Sequence, residues 1–206
     1  MRKITMAAIA AAALAFVGTA GAALVPGTFD QNKTGCPVAK AQSGWLHLEK
    51  NCVNSTPASA FGTITGVNGQ PFTSGSFTLK SASQCQGGSP RFNVYTTAPV
   101  SQPYFLGCNN VTPVTNADGT ATYTFTAATV AAAGNQVPFP TGTITAASVI
   151  IDIQGVADVK NVTVNGIAQK LAGAKKHHGK HRGDEKGHHG HHGHHGVKQD
   201  ADNDND

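Results

Sequence analysis

The chain has 206 residues, carries 15 Lys and Arg against 11 Asp and Glu, and is only 13% charged. Between residues 23 and 169 it is rich in Thr, Gly, Val and Ala and poor in Leu, Glu and Lys, which favours strands over long helices. That stretch holds six basic and five acidic residues, so it lacks the clustered basic footprint that nucleic acid requires.

Residues 1–22 begin with Arg2 and Lys3, run apolar from Met6 to Val17 and end in Ala20-Gly21-Ala22. A basic start, a short apolar run and small residues at a cleavage point form the pattern of a secretory signal peptide. The run is shorter than the ~20 residues that span a bilayer. No cysteine stands at the cleavage point and no second long apolar segment follows. The mature chain is therefore expected to be secreted, soluble and without a membrane span.

Residues 23–43 contain Pro26, Gly27, Asn32, Gly35 and Pro37 and read as a turn-rich arm. The β domain is placed at 44–169. Its first strand is WLHLE (45–49), with Leu46 and Leu48 on one face and Trp45, His47 and Glu49 on the other, because strand side chains alternate. AFGTITGV (60–67) and GSFTLKSAS (75–83) follow, the second with Phe77 and Leu79 inward. The stretch from Cys85 to Cys108 holds two strands. Phe92, Val94 and Thr96 share one face of the first strand, and Arg91, Asn93 and Tyr95 share the other. Pro99 and Pro103 belong to the intervening turn and the start of the second strand.

Asn116-Ala117-Asp118-Gly119 signals a turn into TATYTFTA (120–127), where Ala121, Tyr123, Phe125 and Ala127 alternate with threonines. ATVAAAG reads as a short helix ended by Gly134. SVIIDIQG (148–155) turns Val149, Ile151 and Ile153 inward and Asp152 away, and DVKNVTVNG (158–166) closes the domain. About eight strands with turns between them predict an all-β antiparallel sandwich, with a jelly roll the preferred arrangement.

Four cysteines, Cys36, Cys52, Cys85 and Cys108, occur in the chain. An even number in an exported protein argues for two disulfides. Of the three connectivities, Cys36 with Cys52 and Cys85 with Cys108 is preferred, because each pair encloses a short local unit. Each closure contributes about 3 kcal/mol by restricting the unfolded chain. A zinc site made of all four thiolates would lack any C-x-x-C spacing.

The stretches GWLHLEKN, ITGVNG, CQGGSPRFNVYTT, YFLGC and NVTVNG resemble those of uncharacterised bacterial exported β-sandwich proteins. The last strand is also similar to the closing strand of galactose-binding-like jelly rolls, which include many carbohydrate-binding modules. Those often carry an Asp-Asn pair before the final strand, where this chain has Asp158-Val159-Lys160-Asn161. The resemblance covers roughly residues 44–166 and implies the fold. It carries no reaction and no catalytic residue. Structural calcium is common in such modules, but Asp118, Asp152 and Asp158 form no recognisable loop motif for it.

Two outward faces are candidates for a ligand. Trp45, His47 and Glu49 on one strand, with Arg91, Asn93 and Tyr95 on another, would suit an extracellular glycan if both strands lined one surface, with aromatic faces to stack and polar groups to bond hydroxyls. The bland alternative is ordinary solvent-facing residues, since any half-buried sheet produces such faces. No G-x-S-x-G, H-E-x-x-H or phosphate loop occurs, and nothing pairs two carboxylates as glycoside hydrolysis needs. A non-catalytic protein is expected.

Residues 170–206 form a low-complexity tail, predicted to be disordered. It holds His177, His178, His181, His188, His189, His191, His192, His194 and His195. Neutral imidazole is a good ligand for zinc, nickel and copper, so divalent transition metal is the expected partner of the tail, with no cofactor in the body. Binding would weaken as protons compete for the ring nitrogens. The alternative is a solvated extension whose histidines serve charge or solubility alone. The closing DADNDND is acidic. The leading expectation is a secreted binding or surface-structural protein whose tail binds divalent metal, and a carbohydrate-binding module is the alternative.

Overall fold

The computed structural model describes residues 21–100, 102–134 and 137–173. Nearly all of the leader and the whole histidine tract, residues 177–195, lie outside the described residues. In chain order the strands are β1 (Ala23–Asp30), β2 (Pro37–Gln42), β3 (Trp45–Lys50), β4 (Ala58–Ile64), β5 (Gly75–Leu79), β6 (Arg91–Thr96), β7 (Tyr104–Gly107), β8 (Val114–Thr115), β9 (Ala121–Phe125), β10 (Ile144–Ile151), β11 (Gly155–Val164), β12 (Ile167–Ala168) and β13 (Lys170–Leu171). A short helix, α1 (Ala127–Ala132), follows β9.

Alternation builds these strands. In β9, Ala121, Tyr123 and Phe125 are buried while Thr122 and Thr124 point outward. In β3, Leu46 and Leu48 are buried. Strand β11 breaks the two-residue rule. Val159 and Val162 both face the core, because the register slips between Lys160 and Thr163 where Asn161 takes a left-handed φ of 52°. Such a bulge resets the alternation and bends the strand. Helix α1 starts at a reciprocal cap, with the Thr126 hydroxyl accepting from Thr129 N–H and the Thr129 hydroxyl accepting from Thr126 N–H.

The strands form two sheets. The first has the order β13-β1-β4-β10-β6-β7, and the second has the order β2-β3-β11-β5-β9-β8 with β12 paired to β11. The β1–β13 pairing is parallel and the other pairings are antiparallel. From β3 to β6 successive strands alternate between the sheets. The core between them is one cluster centred on Phe72, Phe77, Phe92, Tyr123 and Phe125, whose neighbouring rings pack 5.4 to 5.5 Å apart around Phe77. Gly75 lets two of these rings close over β5, since a Cβ there would lie 2.8 Å from Phe72 and 2.9 Å from Phe92.

The segment 23–43, expected as an arm, holds β1 and β2 instead. β1 pairs with β4 over seven residues, from Leu24–Ile64 to Asp30–Ala58. Pro26 is tolerated for a register reason. The Leu24 carbonyl faces β13 and accepts from Ala172 N–H. Pro26, two residues on, turns its missing N–H the same way, past the end of β13, where the edge demands no donor.

Both expected disulfides are present. Cys36–Cys52 closes the open end of the β2–β3 hairpin, and Cys85–Cys108 ties the loop after β5 to the end of β7. Two disulfides suit an oxidising compartment. Among the described residues no helix is long and apolar enough to cross a membrane.

Candidate functional site

The two candidate faces lie on opposite sides of the sandwich. Strand β3 belongs to the second sheet and β6 to the first. Their inward residues, Leu46 and Leu48 on one and Phe92 and Val94 on the other, meet in the same core. The alternate residues must therefore point away from each other, and the six do not line one surface.

On the second sheet the polar groups are engaged with one another. The Lys160 ammonium lies 4.3 Å from the centre of the Trp45 ring and 3.9 Å from Asp118. Asp118 is held below the usual carboxylate range, first by the Thr120 hydroxyl that donates to it at 2.6 Å. His47 Nδ1 sits 2.9 Å from Asp158 and its Nε2 sits 3.5 Å from Glu49. The Gln84 side-chain amide donates to the other oxygen of Asp158 at 3.2 Å. Trp45 thus has one stacking face covered. Among the described residues no three His, Cys, Asp or Glu side chains are placed to hold one metal ion.

The first sheet presents a different surface. The Arg91 guanidinium grips Asp152 with both ends, Nη1 donating to Oδ1 at 2.7 Å and Nη2 to Oδ2. Its Nε donates to Asn93 Oδ1 at 2.9 Å, and its plane lies 4.6 Å over the Phe105 ring. Register explains the assembly. Arg91 pairs across the sheet with Ile150, Ser148 with Asn93, and Asn93 in turn with Phe105, so these side chains emerge in adjacent rows of one face.

Beside this cluster a groove of ≈ 460 Å³ runs over the sheet. Its floor includes Arg91, Asn93, Ile150 and Asp152, and one wall is the loop Asn54–Pro57. The exposed aromatic side chains among the described residues are Phe29, Tyr95 and Phe105, at 53%, 47% and 36%, and all three line this groove. The wall is pinned by Lys50, which is 1% exposed. Lys50 takes an inward position at the end of β3. Its ammonium crosses to the first sheet and donates to the carbonyls of Thr56 at 2.9 Å, Asp152 at 2.8 Å and Asn54 at 3.3 Å. Each of its three N–H donors thereby has an acceptor.

Of the residues singled out from sequence, the structure brings together Arg91, Asn93 and Tyr95. It sets Trp45, His47 and Glu49 apart on the other sheet, and the tail histidines lie outside the described residues. Sequence reasoning did not find Phe29, Lys50, Phe105 or the 54–57 loop. Alternation carried a signal for Phe105, which stands between the inward Tyr104 and Leu106. No family model matches the chain, and no curated protein and no solved structure is significantly similar to it.

Proposed function

We propose that this chain is an exported, non-catalytic binding protein that holds an extracellular polysaccharide on the outer face of its first sheet. One observation carries the reading. The exposed aromatic rings gather around a single groove, and an amide and a mutually neutralised Arg91–Asp152 pair lie between them. Sugars offer apolar C–H faces to rings and hydroxyls to such planar polar groups. Among the described residues Asp152 is the only carboxylate that lines the groove, and it is committed to Arg91. Hydrolysis of a glycosidic bond uses two carboxylates, so the chemistry favours binding.

The strand order supports a jelly-roll reading. Eight strands fall into the quartets β3-β11-β5-β9 and β4-β10-β6-β7, the interleaving of two Greek keys. The leader 1–22 and the two disulfides support export.

The test is retention of the full chain on a panel of insoluble polysaccharides, beside Tyr95→Ala and Phe105→Ala. Each ring supports about 1 kcal/mol of stacking, so the double variant should bind roughly tenfold or more weakly. Retention unchanged in the double variant refutes the reading.

A second activity is proposed for the tail, on the observation that nine of ten histidines fall within residues 177–195. They would bind Zn²⁺, Ni²⁺ or Cu²⁺ through neutral imidazole, and affinity would fall as pH drops below ~6.5. Calorimetric titration of the full chain against a form ending at Gly173 decides it. Equal binding by both forms would remove the tail from the metal-binding role.

A further inference from the structure

A second cleft, of ≈ 440 Å³, adjoins the groove and shares Arg91 and Phe105 with it. Its other lining residues include Gly87, Gly88, Gly107, Asn109, Asn110, Val137 and Pro138. We infer that the ligand is an uncharged glycan chain that runs through both clefts across the Arg91–Phe105 ridge, and not a chain end or a single sugar. The inference rests on the polysaccharide reading and specifies the ligand it requires.

The first support is shape. The stacked Arg91 and Phe105 side chains are the wall common to both depressions. Either cleft alone falls within the roughly 300–1,000 Å³ of a small-ligand pocket. The two in series suit a ligand longer than either holds.

The second support is repeated chemistry. The new cleft offers amide side chains from Asn109 and Asn110 and an apolar wall from Val137 and Pro138. Among the described residues Arg91 is its only charged lining residue, and Arg91 is already paired to Asp152. A polymer with a charge on each unit would find no partner there, whereas a neutral one meets the same pairing of apolar and amide groups on both sides of the ridge.

The third support is that the walls are built close and fixed. A Cβ on Gly107 would lie 2.5 Å from the Gly88 carbonyl oxygen and 2.8 Å from Asn109 Oδ1, and one on Gly88 would lie 2.9 Å from Asn109 Oδ1. Only glycine lets the 87–88 loop and the end of β7 approach this closely with an amide between them. The Cys85–Cys108 disulfide joins the same two segments. The Asn110 side chain accepts from Gly107 N–H at 2.6 Å. The cleft is therefore formed before any ligand arrives, which lowers the ordering cost of binding.

The experiment uses the full chain and cello-, chito- and laminari-oligosaccharides from disaccharide to hexasaccharide. Affinity is read by calorimetry, and contact is read from the backbone amide shifts of Gly87, Gly88, Gly107 and Asn109. In the best-bound series, affinity should rise about tenfold or more from disaccharide to hexasaccharide, a gain of ~1.4 kcal/mol. The four amides should shift with the longer ligands. Pro138→Trp, at an exposed position, should remove the gain with length, and an unchanged thermal unfolding midpoint shows that the variant is folded. Tyr95→Ala should weaken every length. If affinity is flat with length, or Pro138→Trp leaves the hexasaccharide unaffected, the two-cleft inference fails while a Tyr95-dependent groove stands. If no oligosaccharide in any series binds, both fall.

Discussion

Replacing Lys50 by methionine tests how the groove is held. Methionine keeps the apolar stem and removes the ammonium, so the carbonyls of Asn54, Thr56 and Asp152 each lose a donor. A hydrogen bond to a charged group contributes about 1.5–3 kcal/mol. Three of them do not sum, because the ammonium, 1% exposed, also loses its hydration on folding at a cost of several kcal/mol. Its partners here are neutral carbonyls, so the compensation is incomplete and the net loss should be roughly 2–4 kcal/mol. For a domain of this size ~3 kcal/mol lowers Tm by roughly 6–12 °C. The assay is urea and thermal unfolding of the oxidised protein, followed by polysaccharide retention at a temperature where the variant is still folded. Retention should drop as well, because the 54–57 loop loses its tie to the end of β10. A Lys50→Met protein within ~0.5 kcal/mol of the parent, with unchanged retention, would refute the role given to this lysine.

Asp152→Asn should leave the Arg91 guanidinium uncompensated, shifting preference from neutral polymers towards uronic-acid polymers; competition between cellulose and alginate in a retention assay reads the change. Gly75→Ala should cost about 1–3 kcal/mol by overpacking, because the added methyl meets the Phe72 and Phe92 rings below 3.0 Å; urea midpoints measure it. Burial pushes the Tyr123 phenol above its ordinary 10.0. The native state then holds that proton more tightly than the unfolded chain. Its contribution is full below about pH 10 and is lost as pH rises through the native pKa. Tyr123→Phe should flatten the fall of Tm above that pH. Asp118 shifts the other way, so its contribution is present above the unfolded carboxylate range near 3.9 and lost below it; Asp118→Asn should remove that acid-side slope.

Local order was legible where one periodicity ruled a segment. The alternation in β9 and β3, the Phe92–Val94 phase of β6 and the short helix before Gly134 all follow from residues within a few positions of each other. The two disulfides followed from the same locality. What stayed hidden was non-local. Alternation tells that Trp45 and Tyr95 both point outward, but the side of the sandwich is set by sheet membership, and the chain changes sheet at each step between β3 and β6. Pro26 and Gly27 made β1 resemble a turn, which concealed Phe29. Lys50 continues the inward series of Leu46 and Leu48, yet a charged residue at a strand end reads as exposed until the Asp152 carbonyl, 102 residues along the chain, is seen to converge on it. The bulge at Asn161 likewise depends on the partner strand β5.

The choice between the two faces is settled by residue-resolved amide shifts of the full chain titrated with the soluble form of whichever polysaccharide retains it. The shifts should concentrate at Phe29, Ser59, Asn93, Tyr95 and Phe105 on the first sheet and leave Trp45, His47 and Glu49 unmoved. Shifts centred on Trp45 and His47, or none in the saturated complex, would contradict the assignment of the ligand surface.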